Sequence, residues 1–232
     1  MTSKGLRIAL DGPVGAGKSS VARKVAARLG LTYVDTGALY RCVALLAARK
    51  GLRPDTDAEA IVHLAQRALI DFDQPHEGGI QRVFLDDEDV TEAIRAPEIT
   101  ELASPISALQ GVRDALMELQ REFARRGQVI MEGRDIQTVI MPDAELKVFL
   151  VATVEERARR RWLQYHGQGI EVPMEELTEQ VRARDARDSG RPNAPLAKAA
   201  DAIEVDSDGL CEDEVVDRIV ELARHKRSPL DA

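Results

Sequence analysis

Near the start of the chain lies a loop whose residue types suit one task, holding phosphate. Gly12, Pro13, Val14, Gly15, Ala16, Gly17, Lys18, Ser19 and Ser20 fit the pattern G-x-x-x-x-G-K-[ST] at Gly12, Gly17, Lys18 and Ser19. Glycines let the backbone wrap an anion, so that several N–H groups point at one phosphate. Lys18 would bring a positive charge to the β- and γ-phosphates of a nucleoside triphosphate such as ATP, and Ser19 a hydroxyl to Mg²⁺.

Such a loop works only between a strand and a helix, because the helix N-terminus adds its positive end to the anion site. The flanking sequence predicts both. Leu6, Ile8, Ala9 and Leu10 form an apolar run before the loop; Val21, Val25 and Leu29 recur at steps of four after it, and Gly30 stands where a helix-ending glycine is expected. Further short apolar runs predict parallel strands, giving five in all: residues 6–10, 32–34, 128–131, 146–151 and 202–205. Helical stretches are expected over 39–49, 112–125, 154–165, 174–185 and 212–224. The alternation implies a doubly wound α/β fold. Residues 70–95 break it: the pair Gly78–Gly79 between two short runs with β-forming residues predicts a small antiparallel insertion, and the tail beyond Arg224 is expected to fray.

The chain's 232 residues suffice for one well-buried α/β domain, and its formal charge of −8 argues against broad binding to nucleic acid or to an anionic membrane. Cys42 and Cys211 are isolated, without metal-ligand spacing, and His63, His76, His166 and His225 are scattered. That usage suggests a reducing compartment and no structural zinc. The N-terminal apolar stretch is too short for a signal peptide, and no run approaches membrane-spanning length, so the expected location is cytoplasmic.

A phosphate loop alone does not separate a kinase from a nucleotide switch or a motor. The second signal is a supply of arginines: Arg41, Arg113, Arg134, Arg157 to Arg161, and Arg182 to Arg191. Two phosphorylated substrates crowd negative charge into one cleft, and phosphoryl transfer is catalysed by positioning and by neutralising that charge. Arginine suits the work because its planar fork grips phosphate oxygens in pairs and stays charged. Some of these arginines, such as Arg159, Arg160, Arg182 and Arg187, are equally explained as surface ion-pair partners. Trp162 and Tyr165, at a three-residue step, read as packing residues.

Four stretches in order, GPVGAGKSS, DTGALYR (from Asp35), EGRDIQTVI (from Glu132) and ARDARDSGRPNAPL (from Ala183), resemble the bacterial cytidylate kinases, a branch of the nucleoside monophosphate kinases. The resemblance covers nearly the whole chain, about residues 6–224. It implies a P-loop NTPase-type five-stranded parallel sheet flanked by helices, with a monophosphate-binding lobe and a mobile lid. Within a single domain over 6–227, the core would be 6–36, 111–152 and 192–227. The lobe with its β-rich insertion would be about 37–110, and the lid and acceptor-binding helices about 153–191. The loop of residues 12–20 would hold ATP. Arg41, Arg134 and Arg191 match the family's grip on the acceptor's α-phosphate; Ser104, Arg113 and Asp135 match its cytosine readers; Arg184 and Asp188 match its sugar contacts. Asp35 either ends a strand or caps the next helix, and Thr36 either does the same or touches the acceptor. Arg157 and the run Arg159, Arg160, Arg161 fall in the lid-like segment. Of these Arg157 and Arg161, with Lys18 and Arg134, form the implied catalytic set.

The base assignment also stands on chemistry. Cytosine presents an amino donor where uracil presents a carbonyl, so a carboxylate such as Asp135 favours the first and repels the second, while Arg113 and Ser104 donate to the ring nitrogen and O2. Two departures stand out: the family often has glycine where this chain has Gln137, and aspartate where it has Glu132. They bear on fine base selectivity and on any role of Glu132 toward a magnesium-bound water. The implied reaction is ATP-dependent phosphorylation of CMP and dCMP by a monomer. The alternatives are a kinase for UMP or AMP and a P-loop nucleotide switch; a nucleic-acid motor fits poorly with the acidic balance.

Overall fold

The computed structural model describes residues 5–73, 81–167 and 169–226. In chain order its elements begin with β1 (Arg7–Asp11), α1 (Lys18–Leu29), β2 (Thr32–Asp35), α2 (Thr36–Arg49) and α3 (Ala58–Arg67). Next come β3 (Ile70–Asp73), β4 (Arg82–Leu85), β5 (Glu88–Asp89), α4 (Pro97–Ile106) and α5 (Gln110–Arg125). The chain closes with β6 (Val129–Gly133), β7 (Leu146–Val151), α6 (Val154–Gly167), α7 (Met174–Ser189), β8 (Ile203–Asp206) and α8 (Glu212–Lys226). It forms two compact units, Met1–Leu31 with Gly127–Ala232, and Thr32–Arg126.

The first unit carries four strands of the five-stranded sheet, in the order β6-β1-β7-β8; β2, the fifth, opens the second unit. Pairing is parallel throughout this unit, with Ile8 opposite both Ile130 and Leu146, and Val148 opposite Ile203. β1 is buried on both faces, which is why Ile8, Ala9 and Leu10 read as a continuous apolar run. On α1, Val21, Val25 and Leu29 are buried, and Gly30 ends the helix in the left-handed conformation (φ 65°). α8 buries Val215, Val216, Ile219 and Val220 and is tied to α1 by Lys24 with Glu212 and Asp213. α6 and α7 share a small core of Ala158, Leu177 and Val181, against which Trp162 and Tyr165 pack as their spacing suggested.

In the second unit, β3, β4 and β5 form the antiparallel insertion, with Ile70 opposite Leu85 and Phe72 opposite Val83. Phe72 and Phe123 meet edge-tilted at 5.4 Å. The pair Gly78–Gly79, expected to turn this insertion, lies outside the described residues.

Several boundaries differ from the sequence expectation. α2 begins at Thr36, three residues early, because the Asp35 carboxylate caps it by accepting from the Ala38 N–H (3.2 Å). α7 runs on to Ser189, so the first half of the arginine-rich motif is helical where a break after 185 was expected, while Arg191 lies beyond the helix. α8 continues through His225 and Lys226, so the chain is helical at the first two residues of the tail that was expected to fray; the rest of that tail lies outside the described residues. Helices α3 and α4 were not foreseen. α3 buries only Ile61 and Ala65, too few for a clear period, and α4 carries Pro97 at its start and Pro105 in its last turn, both of which read as helix breakers. Nor was the π-helical turn Ile136–Ile140 that follows β6.

Candidate active site

The loop between β1 and α1 is shaped by glycine. At Gly12 (φ 154°) a Cβ would stand 2.1 Å from the Leu150 carbonyl oxygen, a backbone atom that cannot swing aside. Gly17 (φ 93°) caps α1 in the left-handed region with no side-chain cap, so the first N–H groups of the helix face the loop. Ser19 is exposed on that first turn and Ser20 donates to the Gly17 carbonyl at 3.1 Å. Lys18 is buried, and its ammonium donates to the Pro13 carbonyl at 2.8 Å. Burial lowers its pKa to about 7, aided by the positive charge of Arg134 and opposed by Glu132, Asp11 and Asp188.

Those influences place the phosphate loop's lysine in the field of an arginine cluster. At its centre is Asp188 on α7, whose side chain is 1% exposed. Arg134, just beyond β6, donates through Nε to one carboxylate oxygen at 2.8 Å, and Arg191 donates to the other. Arg184, one turn earlier on α7, adds its charge. Burial alone would raise the Asp188 pKa; the guanidiniums of Arg134, Arg191 and Arg184 outweigh it and hold the carboxyl below its ordinary range. Three guanidiniums thus act on one buried carboxylate. Asp135, next to Arg134, is buried, as is Glu132.

The arginines of α6 divide. Arg157 is buried and fully engaged: both terminal nitrogens donate to Asp185 (2.9 and 2.6 Å), Nη1 to the Val14 carbonyl of the loop (3.1 Å), and Nε to Ala152. Arg161 donates to the Tyr165 hydroxyl at 2.8 Å and lies over its ring. Arg159 is a surface ion-pair partner of Glu156, and Arg182 of Glu179. Arg160 differs from these two: besides Glu156 it donates to the Ser207 carbonyl (2.7 Å) and hydroxyl (3.0 Å) and to the Ala16 carbonyl of the phosphate loop (3.3 Å). Sequence spacing alone could not separate Arg160 from its neighbours.

The second unit holds Thr36, Arg41, Ser104 and Arg113. Arg41 donates to the Asp35 carboxylate at 2.6 Å, while the other Asp35 oxygen caps α2; the carboxyl is held low despite burial, chiefly by the Arg41 charge, with help from Arg95. Arg95 itself is pushed down by burial and by Arg41. It stands outside every motif, so nothing in the sequence marked it. Thr36 is buried at the first position of α2. Arg113 donates to the Ser107 carbonyl at 3.4 Å, with Tyr40 beneath its guanidinium at 5.9 Å. The Ser104 hydroxyl is buried with no hydrogen-bond partner among the described residues, a cost a fold-only role does not explain.

The residue that sets this chain apart from its resemblance, Gln137, is buried. Its amide oxygen accepts from the Ala199 N–H at 2.9 Å and its nitrogen donates to the Val148 carbonyl at 3.5 Å. The extra bulk is absorbed by packing between the turn, β7 and the segment before β8.

A parallel sheet flanked by helices, a glycine loop with a buried lysine and a ring of arginines define a P-loop kinase. The cytidylate kinase family model matches residues 8–225. The chain is 49% identical over 223 residues to a cytidylate kinase of Geobacter sulfurreducens, covering 96% of this chain and 94% of that one. It is 46% identical over 231 residues to one of Lactobacillus gasseri, covering 98% and 99%. The chain belongs to the cytidylate kinase family and is a nucleoside monophosphate kinase. Among solved structures, an uncharacterized protein from Eubacterium ventriosum shares the fold, with a TM-score of 0.53 at 12% identity over 96% of this chain and 99% of that one. No helix among the described residues is long and apolar enough to cross a membrane.

Proposed function

We propose that this protein transfers the γ-phosphoryl group of ATP directly to CMP, and to dCMP, giving the diphosphates. The observation that carries the reading is the arginine-ringed Asp188 in the electrostatic reach of Lys18, since a simple nucleotide switch has no use for that second pool of positive charge. Residues 12–20 hold the donor's phosphates. Arg41, Arg134 and Arg191 hold the acceptor's phosphate, Arg184 and Asp188 its sugar, and Ser104, Arg113 and Asp135 its base. Thr36 belongs to the acceptor set.

The attacking group is the acceptor's own phosphate oxygen. A phosphate monoester's second pKa is about 6, so the oxygen is anionic near neutrality and no general base is needed. Lys18 and Arg134 offset the charge that spreads over the transferring group. Arg157 and Arg161 are assigned to the same task, Arg157 by exchanging Asp185 for phosphate. Ser19 fits a magnesium ion that arrives with ATP: it offers one neutral oxygen, suited to an ion that takes its other ligands from phosphate and water. When bound, that ion neutralises charge on the β- and γ-phosphates. Residues 153–191 act as a lid that excludes water, 37–110 as the monophosphate lobe, and 6–36, 111–152 and 192–227 as the core. The enzyme works as a cytoplasmic monomer of pyrimidine metabolism.

Release of ADP from ATP and Mg²⁺, measured with CMP, dCMP, UMP and AMP in turn, tests this. CMP and dCMP should stimulate release strongly and UMP and AMP weakly. Slow release that no acceptor stimulates would favour a switch, and a preference for UMP or AMP would move the assignment to another kinase.

A further inference from the structure

Asp11 is the last residue of β1, directly before the phosphate loop, and it is fully buried. The strand before it is apolar but for Arg7, and a fold-only account would place valine or isoleucine here. A carboxylate is costly in such a position unless hydrogen bonds compensate it. Its bonds go to one place. Oδ1 accepts from the Ile136 N–H at 3.1 Å and Oδ2 from the Gln137 N–H at 2.8 Å, both buried. These are the first two residues of the π-helical turn after Asp135. The first N–H groups of any helical turn lack partners within it, so Asp11 caps the turn from a different strand, 125 residues away in sequence. The turn closes behind with Val139 N–H to Asp135 carbonyl (2.9 Å) and Met141 N–H to Ile136 carbonyl (2.6 Å). Turns of this kind recur at functional sites. Even with both bonds the compensation is incomplete: burial, with the nearby charge of Asp135, brings the carboxyl pKa up to about 6.

We propose that Asp11 is a positioning residue for the acceptor nucleotide: by holding the N–H groups of Ile136 and Gln137, its carboxylate sets the direction in which Arg134 and Asp135 leave β6. The inference rests on the reading of Asp135 as the base reader. It assigns to the end of β1 a part in choosing the acceptor, although that strand leads into the donor's loop. A rotation of the turn carries the Asp135 carboxylate off the line of the cytosine amino group. The discrimination between CMP and UMP then falls, while groups that touch only the donor are affected equally with both acceptors.

The test compares wild type, Asp11→Asn and Asp135→Ala. The readouts are kcat/KM for CMP and for UMP, and amide hydrogen exchange at Ile136 and Gln137. The asparagine keeps one acceptor oxygen and replaces the other with a donor, so one of the two bonds is lost. The expected result for Asp11→Asn is a CMP-over-UMP ratio reduced on the order of tenfold, the scale of one hydrogen bond to a charged group. Faster exchange at the two amides should accompany it. Taking the ratio cancels any donor-side effect, which a general loosening of the fold would share between acceptors. A ratio and exchange rates unchanged in Asp11→Asn, while Asp135→Ala loses the ratio, overturn the inference and leave the acceptor reading intact. A ratio unchanged in Asp135→Ala overturns the acceptor reading itself. If Asp11→Asn does not fold, Asp11→Glu, which keeps the charge but shifts both oxygens by one methylene, takes its place under the same criteria.

Discussion

Binding of ATP at alkaline pH should draw a proton from solution onto Lys18. The ammonium is buried against the Pro13 carbonyl, and burial together with Arg134 leaves it with a pKa of about 7. At pH 8 about nine molecules in ten then carry a neutral amine at this position, and at pH 6 about one in ten. The triphosphate's charges restore the ammonium, so binding takes up about 0.9 proton at pH 8 and about 0.1 at pH 6. Above pH 7 this linkage weakens binding about tenfold, or about 1.4 kcal/mol, per pH unit. Calorimetric titrations at pH 8 in two buffers of different ionisation enthalpy read the uptake directly, and the Lys18→Met variant supplies the baseline for the phosphates' own protons. Heats that do not depend on the buffer at pH 8, or the same uptake in the variant, would refute the reasoning. Folding without ligand carries the opposite signature, releasing the proton that ATP binding takes up. The unfolded lysine, at 10.5, holds its proton where the folded one has released it. Stability from this group therefore rises with pH between about 7 and 10.5.

Two further outcomes follow from packing and charge. Gly12→Ala puts a Cβ 2.1 Å from the Leu150 carbonyl oxygen. Thermal or urea unfolding should show a loss on the order of 3 kcal/mol, and an unchanged midpoint would mean that the loop yields freely. Asp188→Asn leaves Arg134 and Arg191 facing each other without their shared charge, at a cost of about 3 kcal/mol at pH 7. Because the folded pKa of Asp188 lies below its unfolded 3.8, its contribution is present above that value and disappears as the pH falls below it. Urea melts of wild type and variant should therefore draw together as the pH falls from about 4 toward the lowered pKa of Asp188; a gap as wide at pH 3 as at pH 7 would show that the carboxylate's charge is not what stabilises the cluster.

Much of this protein was legible along the chain because the relevant physics is local. The phosphate loop depends on glycines, a lysine and a serine at fixed spacing, and the parallel strands show as short apolar runs because both faces are covered. What hid these elements was local as well: Pro97 at the first position of α4, where proline is tolerated, and Pro105 inside its last turn both read as breaks, and the Asp35 cap started α2 a turn early. The motif from Ala183 shows its arginines, but not that Arg184 on α7 and Arg191 just beyond it gather around a carboxylate shared with Arg134, 54 residues away from Asp188.

The sequence by itself determined the chemistry on offer: an anion cradle, an excess of guanidiniums and a family pattern for an acceptor nucleotide. Only the tertiary structure decided which of those groups meet. It bound Arg157 to Asp185 and to the loop, set Arg160 apart from Arg159, engaged Gln137 with Ala199, and brought Asp11 under the turn that presents Asp135. The reason is physical. A spacing pattern encodes contacts within a few residues, whereas burial, and the pKa shifts and hydrogen bonds that come with it, depend on segments that approach only when the sheet is assembled.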